Sequence, residues 1–83
     1  SNKLLKNSER ISKLLFHFKN KISQNLNNIK LLNFYRNKIK VLCNKIEYLE
    51  IRSSKDLTRK ISKNNFKIFI AYRQSKVRLI DNV

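Results

Sequence analysis

The chain has 83 residues, of which 20 are Lys or Arg and 5 are Asp or Glu, so its formal net charge is +15. This length allows one domain and no second core, and a single cysteine excludes a disulfide framework. Gly and Pro are absent, which argues against an all-β fold because the usual turn residues are missing; the charge favours a polyanionic partner, nucleic acid ahead of an anionic membrane surface.

The first segment carries apolar residues at steps of three and four, which predicts an α-helix over residues 3–33. The apolar stripe consists of Ile11, Leu14, Leu15, Phe18, Ile22, Leu26, Ile29 and Leu32. Basic and amide side chains lie away from this stripe and form what we call the basic strip. Its members are Lys3, Lys6, Arg10, Lys13, His17, Asn20, Lys21 and Gln24. We expect the basic strip to contact an anionic partner.

Two further segments show similar spacing. Residues 38–58 are predicted to form a second helix, after a turn bracketed by Asn33 and Asn37. Residues 62–80 are predicted to form a third helix, with Ser62 as its N-cap. The expected fold is therefore all-α, a three-helix bundle with a long first helix, in a single domain over residues 1–83. Its expected core is Ile11, Leu15, Phe18, Ile22, Ile39, Leu42, Ile46, Leu49, Phe69 and Val77.

The start of the third helix is a candidate phosphate-binding point. Free N–H groups and the positive end of the helix dipole suit an anion there, and Lys63 adds charge while Asn64 and Asn65 add donors. The alternative is a capped, solvated helix start. The binding residues predicted in and near this helix are Lys60, Ser62, Lys63, Asn64, Asn65, Lys67, Gln74 and Arg78.

Enzymatic residue combinations are missing from the sequence. His17 is the only histidine, and it has no triad partner nearby in the chain. Metal ligands at working spacing do not occur, and a glycine-rich phosphate loop needs glycine. Glu47 and Glu50 are expected to pair with neighbouring lysines on one helix face. We therefore predict a protein that is not an enzyme and has no metal or cofactor, with Cys43 as a small buried hydrophobe.

Two short motifs resemble the bacterial-type family of small-subunit ribosomal protein twenty. The opening "KNSERISKLLFHFKNK" is similar to the basic first helix of that family, with its Ser-Glu-Arg step at residues 8–10 and its Asn-Lys at residues 20–21. Residues 61–65, "ISKNN", resemble the Ile-His-Lys-Asn-Lys signature at the start of the last helix, with Ser in place of His. After this signature the family has small residues and a dense basic run, whereas this chain has "FKIFIAY".

The resemblance implies a structural protein that binds small-subunit ribosomal RNA and helps assembly, with neighbouring ribosomal proteins as further partners. It implies no small-molecule substrate and no catalysis. The absence of a long apolar run in the sequence separately predicts that no segment spans a membrane. The implied location is the ribosome of an organelle, a plastid ahead of a mitochondrion, with the cytoplasm of an AT-rich bacterium as the alternative. A basic helical accessory subunit of an organellar membrane complex, lying on anionic lipid, is the other functional class. A DNA-binding helix-turn-helix protein is disfavoured because no short Gly-containing turn joins two suitable helices.

Overall fold

Two helices are followed by three strands in this computed structural model, which describes residues 2–53 and 65–83, with side chains from Lys6 onward. The elements are α1 (Asn2–Ile22), α2 (Ile29–Lys40), β1 (Lys45–Ser53), β2 (Phe66–Gln74) and β3 (Val77–Asn82). The fold is therefore α+β, and the prediction of an all-α three-helix bundle is wrong. The predicted end of the second helix and start of the third, at residues 54–64, lie outside the described residues.

The predicted first helix is divided into two because side chains between α1 and α2 bond to the backbone beside them. The Ser23 hydroxyl donates to the carbonyl of Asn20 (2.8 Å), and Oδ1 of Asn25 accepts from the N–H of Asn27 (3.2 Å). Asn28 is the N-cap of α2, where its Oδ1 accepts from the N–H of Leu31 (3.1 Å). Such bonds compete with continuous helix. The turn therefore lies at residues 23–28, and the predicted turn at residues 33–37 is wrong because these residues are inside α2.

A β-bulge explains why β1 looked helical in sequence. The register of β1 against β2 shifts between Ile46 and Tyr48, so Ile46 pairs with Tyr72 and Leu49 pairs with Ile70. A bulge adds one residue to the alternation of a strand. It therefore places Ile46 and Leu49 on the same face although they are three residues apart, which is the spacing of a helix.

Buried and exposed side chains alternate along most of β2, as expected for a strand with one face on the core. Phe66, Ile68, Ile70 and Tyr72 are buried, whereas Lys67 and Arg73 are exposed on the other face. Ile, Phe and Tyr at these positions suit a half-buried pleated sheet. The predicted third helix is thus wrong over residues 66–80, which form β2, a two-residue loop and most of β3. In that loop Ser75 adopts a positive φ of 56°, as mirror-image hairpin turns require.

The sheet is an antiparallel meander in the order β1-β2-β3, and both helices pack on one of its faces. The Phe18 ring of α1 stacks on the Tyr35 ring of α2, with centroids 5.1 Å apart. The Ser12 hydroxyl of α1 donates to Oδ2 of Asp81 on β3 (2.8 Å). These contacts leave the opposite face of the sheet, here called the outer face, without a covering element in the part of the chain that the structure describes.

The core lies between the helices and the sheet. The buried apolar residues of this core are Ile11, Leu15, Phe18, Ile22, Tyr35, Ile39, Leu49, Phe66, Ile68, Ile70 and Tyr72. The predicted core residues of α1 and α2, and Leu49, are confirmed by this set, and Leu42 and Ile46 pack against it while partly exposed. Phe69 and Val77 were predicted wrongly. Phe69 is on the outer face between Glu50 and Asn82, and Val77 is 44% exposed.

Within residues 2–53 and 65–83, neither helix combines the length and the hydrophobicity that crossing a bilayer requires.

Candidate functional site

The described part of the basic strip lies along the exposed side of α1. Six side chains of α1 belong to it and are exposed: Lys6, Arg10, Lys13, His17, Asn20 and Lys21. Gln24 is exposed in the turn after α1, and Lys3 lies in the first turn of this helix. The strip is therefore on the helical side of the molecule, and its role as a binding surface stays a prediction.

The other predicted binding residues do not join the basic strip. Lys67 and Arg78 are exposed on the outer face of the sheet, on the opposite side of the molecule from α1. Asn65 is half-buried just before β2, and the Gln74 amide donates to the carbonyl of Leu42 (2.7 Å) inside the fold. The remaining four lie outside the described residues: Lys60, Ser62, Lys63 and Asn64.

Two arginines and one glutamate form an ion-pair group on the outer face, which we call the arginine cluster (Glu47, Arg73 and Arg78). Nε of Arg73 donates to Oε1 of Glu47, and Nε of Arg78 donates to Oε2, each at 2.8 Å. The side chain of Glu47 is 23% exposed, whereas those of Arg73 and Arg78 are 50% and 42% exposed. One carboxylate thus holds two guanidinium groups that remain open to solvent.

The arginine cluster follows from strand pairing. Arg73 and Arg78 are direct cross-strand partners in the β2–β3 hairpin, and like charges in that position repel. Glu47 lies at the bulge of β1 and relieves this repulsion. The hydrogen bond from Arg78 is the main reason why the pKa of Glu47 is lowered, and the same bond raises the pKa of Arg78.

The expected pairing of Glu47 and Glu50 with lysines on a helix face is wrong, because both glutamates are in β1 and pair with arginines. Glu50 bonds to Nη2 of Arg52 at 2.6 Å. Sequence reasoning identified Arg78 but missed Arg73 and the link through Glu47. The period of two in "FKIFIAYR" was the signal that could have placed Arg73 on the exposed sheet face. Glu47 reaches that face only through the bulge in β1, which strict alternation does not predict.

Two shallow hollows flank β1. One, of about 200 Å³, lies on the outer face and is walled by Tyr48, Glu50, Arg52 and Phe69. The other, of about 370 Å³, lies beside β1 and the turn before α2. Its walls are Leu26, Asn27, Leu32, Leu49, Glu50, Ile51 and Arg52. Both hollows combine apolar groups with the ion pair of Glu50 and Arg52, a mixture that suits a small polar molecule.

The groups that carry proton transfer and nucleophilic attack in many enzymes are unremarkable in the described ranges. His17 is exposed on α1. Burial raises the pKa of the Cys43 thiol, whose sulfur is 3.6 Å from the carbonyl oxygen of Ile39, so this thiol is poorly reactive. No set of three or more His, Cys, Asp or Glu residues able to hold a metal occurs in residues 2–53 and 65–83.

Comparison with known families contradicts the ribosomal interpretation. The model of the pantoate-beta-alanine ligase family matches residues 1–83, whereas no curated protein and no solved structure matches the chain. This match shows that the assignment to the family of small-subunit ribosomal protein twenty is wrong. The two motifs that suggested that family are short, and a high positive charge suits many kinds of anionic partner. The predictions that depended on this assignment are also wrong. They were a structural role on ribosomal RNA, ribosomal partners, no small-molecule substrate and no catalysis. The membrane-complex alternative has no support either. The match covers the whole chain, and the protein belongs to the pantoate-beta-alanine ligase family.

Proposed function

We propose that this chain works in a ligase that joins pantoate to β-alanine with the cleavage of ATP. The observation that carries this proposal is the family match over residues 1–83. The reaction forms an amide from a carboxylate and an amine. A carboxylate is a poor electrophile in water and has to be activated before an amine can attack it. This activation is the reason why the reaction needs ATP as well as pantoate and β-alanine.

The charge of the chain suits such substrates. Pantoate carries a carboxylate, β-alanine carries a carboxylate beside its ammonium group, and ATP carries a triphosphate. A net charge of +15 raises the local concentration of anions and speeds their encounter, by about 10- to 1,000-fold in favourable clefts. The excess of Lys and Arg that suggested RNA is thereby explained by small anionic substrates.

In this proposal the described residues bind and orient substrates. The arginine cluster presents two guanidinium groups on the outer face, and arginine is well suited to bidentate recognition of carboxylate and phosphate. Binding energy and orientation of this kind contribute to catalysis without a proton-transferring group.

The test is amide formation by the purified protein that contains this chain. It is incubated with pantoate, β-alanine and ATP, and the amide and the nucleotide product are measured by mass spectrometry. We expect amide only when all three compounds are present, with one nucleotide cleaved for each amide formed. Failure to form amide in a preparation that is folded by circular dichroism would overturn the proposal.

A further inference from the structure

The arginine cluster has hydrogen-bond donors that the fold does not use. Each guanidinium has five N–H donors, and Arg73 and Arg78 both reach Glu47 through Nε. The Nη groups of these two arginines make no hydrogen bond to another residue in the part of the chain that the structure describes. Their free donors lie on neighbouring strands and face solvent.

Arg52 is on the same face of the sheet, and its hydrogen-bond donors are used by other groups of the protein. Its Nη1 donates to the carbonyl of Ile51 (3.0 Å), its Nη2 bonds to Glu50 (2.6 Å), and its side chain is only 19% exposed. Arg73 and Arg78 are more than twice as exposed and keep both Nη groups open. The difference separates an arginine held by structure from two that are available to a ligand.

The surroundings of the cluster increase its positive character. Lys45 is the strand partner of Arg73 and is exposed, and Lys76 is exposed in the loop that joins β2 to β3. Among the described residues, four cations thus share this end of the sheet with one carboxylate, that of Glu47. Glu47 orients the two guanidinium groups and leaves the end of the sheet with a positive excess.

We infer that Arg73 and Arg78 form an oxyanion site that binds an anionic group of a substrate through their Nη donors, with Glu47 as the positioning residue. This inference rests on the proposed function for the identity of the ligand, which is either the triphosphate of the nucleotide or the carboxylate of pantoate. Both present oxygens that match the planar fork of arginine. The cross-strand placement lets one oxyanion contact both side chains.

The experiment measures affinity for two probes, inorganic tripolyphosphate and pantoate, by calorimetric titration in 150 mM salt. Arg73→Gln and Arg78→Gln are compared with Arg36→Gln, which removes the same charge from an exposed position on α2. We expect each cluster variant to lose at least fivefold in affinity for one or both probes, and the α2 variant to lose less than twofold. A loss confined to tripolyphosphate assigns the site to the nucleotide, and a loss confined to pantoate assigns it to the carboxylate.

Two further outcomes decide against the site. Equal losses in all three variants would show general charge attraction, and unchanged affinities with a lowered midpoint of thermal unfolding would show that the cluster only joins strands. Arg73→Lys and Arg78→Lys keep the charge without the planar fork, and we expect them to lose affinity while staying folded. The inference fails separately from the proposed function: amide formation can persist while the cluster variants bind like the α2 control, and selective loss of anion binding can occur in a protein that forms no amide.

Discussion

Glu47 is the residue whose protonation should matter most to the arrangement of the outer face. Its pKa is lowered in the folded protein, chiefly by the hydrogen bond from Arg78. A lowered folded-state pKa means that the unfolded chain binds the proton more readily. The contribution of Glu47 to stability is therefore present above the ordinary glutamate pKa of about 4.3 and is lost as the pH falls through the lower, folded value.

We accordingly expect Glu47→Gln to lower the midpoint of thermal unfolding near pH 7, and the difference from the parent protein to shrink below about pH 4.3. Thermal unfolding followed by circular dichroism from pH 7 to pH 3 measures this. Glu9→Gln is the control, since Glu9 is exposed on α1 and makes no ion pair with another described residue. A difference between Glu47→Gln and the parent that stayed constant over this range would contradict the linkage.

At the scale of elements, α1 is held to the rest of the fold by one buried face. Phe18 is fully buried and stacks on Tyr35, whereas Phe16, two residues earlier on the same helix, is 58% exposed. We expect Phe18→Ala to lower the free energy of unfolding by about 3–5 kcal/mol, because it removes a large buried side chain and leaves a cavity. Phe16→Ala should change it by about 0.5 kcal/mol or less. Urea unfolding curves provide both values, and comparable losses would mean that α1 packs through a different face.

The face of α1 was predictable because helical spacing persists over about three turns there. Ile11, Leu15, Phe18 and Ile22 repeat at steps of four, three and four, and all are fully buried. The length of the helix was not predictable from this spacing. The apolar spacing continues past Ile22, whereas the helix ends there because side chains in the turn bond to the backbone. Local competition between side chains and backbone decided that boundary.

The strands were missed for different reasons. In β1 the bulge gave Ile46 and Leu49 a helical spacing. In β2 the segment "FKIFIAY" differs from the small and basic residues that the ribosomal family has at this place, and this segment is the strand itself. For the candidate site, Arg78 was identifiable as a basic residue, but its link to Glu47 depends on a register that joins residues 31 positions apart. Such non-local pairing is not visible in the spacing of one segment.

The whole molecule carries its net charge on a small fold, so repulsion between its cations opposes folding. We expect an increase in NaCl from 20 to 300 mM to raise the midpoint of thermal unfolding by about 5 °C, which corresponds to about 1 kcal/mol in a domain of this size. Choline chloride at the same ionic strength should act equally, since screening does not depend on the cation. A midpoint that fell or stayed constant with salt would show that the folded state tolerates its charge without cost.

The meander order has a consequence for solubility. Among the described strands, β1 and β3 are each paired on one side only, and such edge strands can add a strand from another molecule. The bulge in β1, the six-residue length of β3 and the charges of Lys45, Arg52 and Arg78 are features that hinder this addition. Repulsion between two copies, each with a charge of +15, hinders it further. The salt that stabilises one copy also screens this repulsion, so high ionic strength should bring the protein closer to edge-to-edge aggregation.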